Sequence, residues 1–270
     1  MIELKSPGEV DAMAAAGEVV AGILGELRAA AVPGVRPIDL DLLARERIAD
    51  AGARSSFLGY HPGFSATPYP AVICASVNDA IVHAIPDASP LAPGDLLSVD
   101  FAVHLDGWCA DAAFTVVVGG GTDPIVTAAE NALAAGIAAA VPGARLGDVA
   151  HAIGAATRER GFAALWGYGG HGVGRAMHEP PFVPNDGPAG RGLVLRPGMV
   201  LALEPMLLGG RSGDCTLDAD GWTIRTADGS RAAHAEHTVA VTDDGPRVLT
   251  AAPSHESGDR AERGSTRARE

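Results

Sequence analysis

Cysteine is scarce in this chain: Cys74, Cys109 and Cys215 are the whole complement, odd in number and far apart. With no CxxC among them, a disulfide framework and a cysteine-rich zinc module are both excluded, and a reducing cytoplasm is the expected compartment. Basic residues are also short, 20 Lys and Arg against 33 Asp and Glu, for a formal charge of −13. A general binder of nucleic acid or of anionic membrane needs clustered positive charge, so the composition argues against both classes. No apolar run reaches the length that spans a bilayer. Glu3, Glu9 and Asp11 stand where a secretory leader would be basic and then apolar. What the chain does have is 270 residues, 47% of them apolar, enough to bury a core without disulfide or structural-metal staples. With 20% charged residues and a mean hydropathy of +0.16 it is not a wholly disordered chain.

Ser6-Pro7-Gly8-Glu9 carries the capping-box pattern, with Pro at the first helical position. Val10, Met13, Gly17, Val20, Leu24 and Leu27 follow at helical spacing, which predicts a helix to about Ala31 with one buried face, ended by Pro33-Gly34. A second helix is predicted from Asp39, as N-cap, to Gly52. The pattern then recurs. AAAVPG at 29–34 reappears at 138–143, and at the same offset of 109 Arg36 falls on Arg145, Asp39 on Asp148 and Gly52 on Gly161. Independently, LAPGDLLSVD ending at Asp100 aligns with LRPGMVLALE ending at Glu204: a Pro-Gly turn, an apolar run, and an acid at the same step. Both echoes keep chain order. The expected architecture is α+β, two halves at about 6–120 and 121–253 packed about a pseudo-two-fold axis with a site between them. Residues 254–270 are polar, charge-balanced and aperiodic, so a single domain over 1–253 with a disordered tail is expected.

Asp100 lies in LLSVDFAV, otherwise fit for a buried strand, where an ionised carboxylate is costly unless paired or bound to a metal. Asp106-Gly107 signals a type I′ hairpin, which sets Asp100 opposite Ala113 and Ala102 opposite Asp111. The two acids are then diagonal neighbours on one face, and such a pair calls for a shared proton or a cation. The second half adds Glu204 and Glu236 at the borders of apolar strands. Glu236, with His234 and His237 close by, also suits a solvated edge. His83, His171 and His178 lie in Gly- or Pro-rich segments that resist helix and suit a lined cleft, whereas His104, His151 and His255 have no such setting. Four carboxylates with one histidine make a hard O/N donor set, suited to two divalent ions of Mn, Fe, Co or Zn. The GxGxxG at 167–172 precedes no amphipathic helix and so lacks the phosphate site of a dinucleotide-binding turn. In HEPP at 178–181 the prolines forbid the helix that an HExxH zinc motif needs.

In order and spacing, HAIPD at 83–87, SVDF around Asp100, ADAAFT around Asp111, GHGVGRAMHEPP at 170–181, LEPM at 203–206 and AEHTVAVT at 235–242 resemble the type I methionine aminopeptidases. The likeness runs from about Lys5 to Leu249 and implies the pita-bread fold, with an antiparallel sheet and flanking helices. It implies a dinuclear metal centre held by Asp100, Asp111, His171, Glu204 and Glu236. The implied activity is removal of the initiator methionine from nascent chains with a small second residue. On that reading Glu204 shuttles a proton, His178 donates to the oxyanion, and His83 contacts the scissile amide or the leaving nitrogen. Tyr60, His61, Phe64, Cys74, Tyr168, Met177 and Trp222 would surround the methionine side chain. Asp79, Ala84 and Met177 depart from the family pattern and are expected to touch the substrate pocket. An Xaa-Pro peptidase would share fold and metal set but carries a large N-terminal domain, for which the repeat starting at Ser6 leaves no room. A non-catalytic binding relative would have lost ligands. The expected partners are nascent N-termini, with no membrane and no specific nucleic acid. A monomer is expected, and a transient ribosome contact stays open, since four Arg and four acids in the tail give no net attraction.

Overall fold

The capping box closes as the sequence predicts: the Glu9 N–H donates to Ser6 Oγ at 3.4 Å and the Ser6 N–H to the Glu9 carboxylate at 2.9 Å. Helix α1 (Pro7–Ala30) then buries Val10, Met13, Gly17, Val20, Leu24 and Leu27 along one face. At Gly17 the helix meets the backbone carbonyl of Leu249 so closely that a Cβ would overlap it. These positions come from a computed structural model, which describes residues 2–63, 65–210 and 212–251. Phe64 and the expected tail at 254–270 lie outside the described residues.

Helix α2 (Pro37–Asp50) starts earlier than its sequence suggests. Asp39 is not the N-cap; it is the third helical residue, and its carboxylate accepts the N–H of the capping Arg36 at 3.2 Å. An acid at that position satisfies an orphan donor from inside the helix, which leaves the same sequence trace as a cap. The second half repeats the device. After α3 (Pro124–Ala139), capped by Asp123, helix α4 (Leu146–Glu159) places Asp148 third, where it accepts the Arg145 N–H at 2.7 Å.

The hairpin Leu96–Leu105 and Trp108–Val117 turns through Asp106 (φ 48°) and Gly107 (φ 83°), both left-handed, as a type I′ turn needs. Asp100 faces Ala113 and Ala102 faces Asp111, the register the turn dictates. Because strands alternate faces, Leu97, Val99, Phe101 and Val103 point into the core beneath α1 and α2, and Asp100 is carried to the other side. Each large side chain so buried contributes roughly 1.5–3 kcal/mol.

In the second half the equivalent strand is split into Val200–Leu203 and Met206–Leu208. Pro205, with no N–H to give the ladder, lies at the break. Both pieces keep one register against Ala232–His234 and Glu236–Thr242, with Met206 opposite His234 and Leu203 opposite His237. Short outer strands match too: Arg54 pairs with His104, and Ala163 pairs with Leu208. The two halves join where Glu236 pairs with Ala113 in the nine-stranded antiparallel sheet. A second core lies under α3 and α4, and a third, with Met13, Cys74, Ala102, Met177, Val200 and Trp222, spans the halves. This is the pita-bread arrangement.

Candidate metal centre

Strand alternation and the pseudo-two-fold axis bring acids from both halves to one place. Asp100 and Asp111 share the non-helical face of the first hairpin, and Glu236 adjoins them through its pairing with Ala113. Glu204 leaves the sheet at the break before Pro205. His171 lies on Gly169–Gly172, where a Cβ on Gly170 or Gly172 would strike the carbonyls of Ala202 or Pro180. Only glycine lets that strand come close enough to bring the ring in. Asp111, His171 and Glu236 each offer a ligand atom within 4.8 Å of the others, and His171 Nε2 lies 3.6 Å from Glu204 Oε1. His171 Nδ1 lies 2.9 Å from the Gly172 carbonyl, so it carries the proton and leaves the Nε2 lone pair free.

Asp111 and Glu236 are buried, while Asp100 and Glu204 are reached only in part, through the cavity. Burial lifts all four carboxyls above the usual carboxylate range, Asp111 to about 7. After burial, the Asp111 charge is the next cause for Asp100 and for Glu236, and the Asp100 charge for Glu204. His171 is pushed down to about 3, first by burial and then by His178. Among the described residues, Asp100 Oδ1, Asp111 Oδ1 and Glu236 Oε1 have no hydrogen-bond partner. Buried polar atoms are almost always satisfied, so three orphaned carboxylate oxygens around one imidazole fit a site made for divalent cations.

The acids form one wall of a cavity of about 460 Å³. His83, His178, Tyr60, Cys74, Tyr168, Met177 and Trp222 line it as anticipated; His61 does not, its Nε2 lying 3.2 Å from the Ser65 carbonyl. Phe57, Tyr69, Phe182 and Met206 line it unanticipated. Tyr69 stands edge-on to Trp222 with ring centroids 5.0 Å apart, and its hydroxyl sits between the carbonyls of Ile73 and Ala84 at 3.0 and 2.9 Å. Cys74 pairs with Asp100 across neighbouring strands, and burial pushes its thiol up, so it packs as a neutral wall. Of the departures from the family pattern, Met177 lines the cavity. Asp79 instead bonds Arg225 at 2.9 Å, and the Ala84 N–H reaches Ser76 Oγ at 3.3 Å; neither lines the cavity.

His178 stands solvent-exposed at the mouth, 4.1 Å from the His171 ring by centroid, with Tyr60 Oη 3.1 Å from its Nδ1. His83 is held in the left-handed region at φ 61°, a strained conformation for a non-glycine residue and one that clusters at functional sites. Desolvation lowers the pKa of both rings, His83 to about 4, so they meet a substrate as neutral imidazoles. One residue escaped the sequence reading: His234, noted only as a neighbour of Glu236, is 1% exposed, and its Nε2 lies 3.6 Å from Glu204 Oε2. Its spacing of two from Glu236 was the available signal, since residues i and i+2 share a strand face.

Residues 11–243 match the model of metallopeptidase family M24. A methionine aminopeptidase 1 of Mycobacterium tuberculosis is 55% identical over 260 residues, covering 93% of this chain and 95% of the relative. The crystal structure of a methionine aminopeptidase from Thermotoga maritima superposes with a TM-score of 0.88 at 39% identity, covering 93% of this chain and 99% of that one. An Xaa-Pro dipeptidase from Bacillus anthracis shares the fold alone, with a TM-score of 0.73 at 21% identity over 93% of this chain and 62% of that one.

Proposed function

This chain belongs to metallopeptidase family M24, and we propose that Asp100, Asp111, His171, Glu204 and Glu236 hold a pair of divalent ions serving one reaction. That reaction is metal-dependent removal of the amino-terminal methionine, the activity named for relatives up to 55% identical over nearly the whole chain. The carrying observation is the convergence of acids from both halves, with three orphaned oxygens, on the wall of an aromatic- and thioether-lined cavity.

When bound, the ions lower the pKa of a water toward neutrality and polarise the scissile carbonyl. Glu204, at a strand end and facing the cavity, is placed to hold a proton and would relay it to the leaving amine. His178, neutral and exposed at the mouth, donates a hydrogen bond to the oxygen on which negative charge develops. His83, fixed by its backbone conformation, contacts the scissile amide. Tyr60, Tyr69, Cys74, Met177 and Trp222 offer ring edges, a thiol and a thioether to a flexible methionine side chain, a surface on which sulfur packs well.

The enzyme acts as a monomer in the cytoplasm on nascent chains whose second residue is small. Its net charge of −13 gives ribosomal RNA no attraction, so any ribosome contact is transient. Among the described residues no helix is long and apolar enough to cross a membrane. Metal analysis of the purified protein, paired with peptides of Met-Xaa and Xaa-Pro sequence, tests this reading. Two ions per chain and turnover of Met-Ala-Ser are expected, with both lost in Asp100→Asn; normal hydrolysis by that variant rejects the site.

A further inference from the structure

The pseudo-two-fold axis has a chemical counterpart beside the centre. The Asp111 N–H donates to Thr238 Oγ1 at 3.0 Å, and that hydroxyl donates back to the Asp111 carbonyl at 2.8 Å. Across the axis the His234 N–H donates to Thr115 Oγ1 at 2.9 Å, and that hydroxyl donates back to the His234 carbonyl at 2.8 Å. His234 opposes Met206 in its hairpin as Asp111 opposes Ala102 in the other. It therefore occupies, in the second half, the place that Asp111 occupies in the first.

From this placement we propose that His234 is a nitrogen donor to the metal centre, a second imidazole beside His171. The proposal rests on the two-ion reading above and adds a ligand to it. His234 Nε2 lies 3.6 Å from Glu204 Oε2 and 3.9 Å from Glu236 Oε2. Those separations exceed a hydrogen bond, whose length is about 2.7–3.2 Å. They suit two donors on one ion, each bonded at about 2.0–2.2 Å. His171 shows the same relation, its Nε2 lying 3.6 Å from the other Glu204 oxygen, so the carboxylate stands between two imidazoles with one oxygen toward each. His234 is 1% exposed, and among the described residues neither of its ring nitrogens has a hydrogen-bond partner. An imidazole buried that far with both nitrogens unused has a lone pair to give, and the three orphaned carboxylate oxygens lie in the same cluster. The extra donor would favour ions that take nitrogen, Zn, Co or Fe, over purely oxygen-loving ones.

The test uses full-length protein loaded with Co(II) and observed by proton NMR, where the exchangeable N–H of a coordinated imidazole is shifted far downfield. Two such signals are expected in the wild type and one in His234→Gln. Titration calorimetry should show at least a tenfold loss of Co(II) affinity in the variant. A single downfield signal in the wild type, or two in the variant with unchanged affinity, overturns the proposal and leaves the five-residue centre standing. A wild type that binds no Co(II) defeats the metal-centre reading itself. If His234→Gln does not fold, His83→Ala and His178→Ala decide the assignment. Both signals must persist in each, and loss of one in either assigns the second imidazole elsewhere.

Discussion

Stripping the ions should turn the acid cluster into a stability defect that grows with pH. In the metal-free protein burial penalises the charge of Asp111 and lifts its carboxyl from the ordinary 3.8 to about 7. A carboxyl raised in the folded state binds its proton more tightly there than in the unfolded chain. Folding is therefore least penalised below 3.8, loses stability as pH rises from there, and reaches the full loss above about 7. Between pH 5 and 8 this one group costs roughly 2–3 kcal/mol by proton linkage at 1.36 kcal/mol per pKa unit. For a chain of this size that lowers the melting temperature by roughly 5–10 °C. Asp100, Glu204 and Glu236, raised for the same reason, push in the same direction. Bound cations remove the penalty, and their binding releases protons, so the gap between loaded and chelated protein should widen with pH. Calorimetric melts of both forms at half-unit steps from pH 5 to 8 measure it. A constant gap, or chelated protein that gains stability relative to the loaded form as pH rises, would show that the acids carry no buried charge in need of a cation.

Replacing His178 by Ala should lower kcat by about 10²–10³ with the ions retained, as expected for the loss of one oxyanion donor, read by steady-state kinetics and metal content. Lys5→Met removes the partner of Glu179 in a buried pair at 2.9 Å, with the Lys5 side chain 2% exposed. It should cost roughly 2–4 kcal/mol in denaturant unfolding, short of a fully enclosed pair because Glu179 keeps the N–H donors of Arg175 and Ala176. Gly170→Ala drives a Cβ into the Ala202 carbonyl and should destabilise by about 1–3 kcal/mol or more. It should also weaken metal binding measured by calorimetry, since His171 moves with its strand.

Where local rules act alone, the chain was readable. Asp106-Gly107 fixes a two-residue turn, and the turn sets every pairing in the hairpin, including the two acids. The Pro-Gly and Arg-x-x-Asp echoes survive as matching turns: Gly34 and Gly143, at φ 91° and 85°, donate to the carbonyls of Leu91 and Leu195. Asp39 was misplaced because an acid that accepts from its own N-cap resembles the cap itself. The cavity aromatics were harder. Phe57 and Tyr69 sit in a Pro- and Gly-rich stretch with no period to say which way they face, and His61, carried by family likeness, turns back to its own loop. His234 was hidden because it ends the short strand Ala232–His234 and the ladder is interrupted at Ala235, so only its spacing of two from Glu236 hints at a shared face.

Within the nine-stranded sheet the seam between the halves is short, Ala113 with Glu236 and Ala112 with His237, stitched by the two threonine hydroxyls. The proposed donors straddle it, two acids on one side and two acids with two histidines on the other. Cations in that position would fasten the molecule as well as serve its chemistry. A lesion that tilts one half against the other would part the donors before the core under either helix pair gave way. Its product would be a well-folded protein that has dropped its cations, with the fault lying far from the cavity.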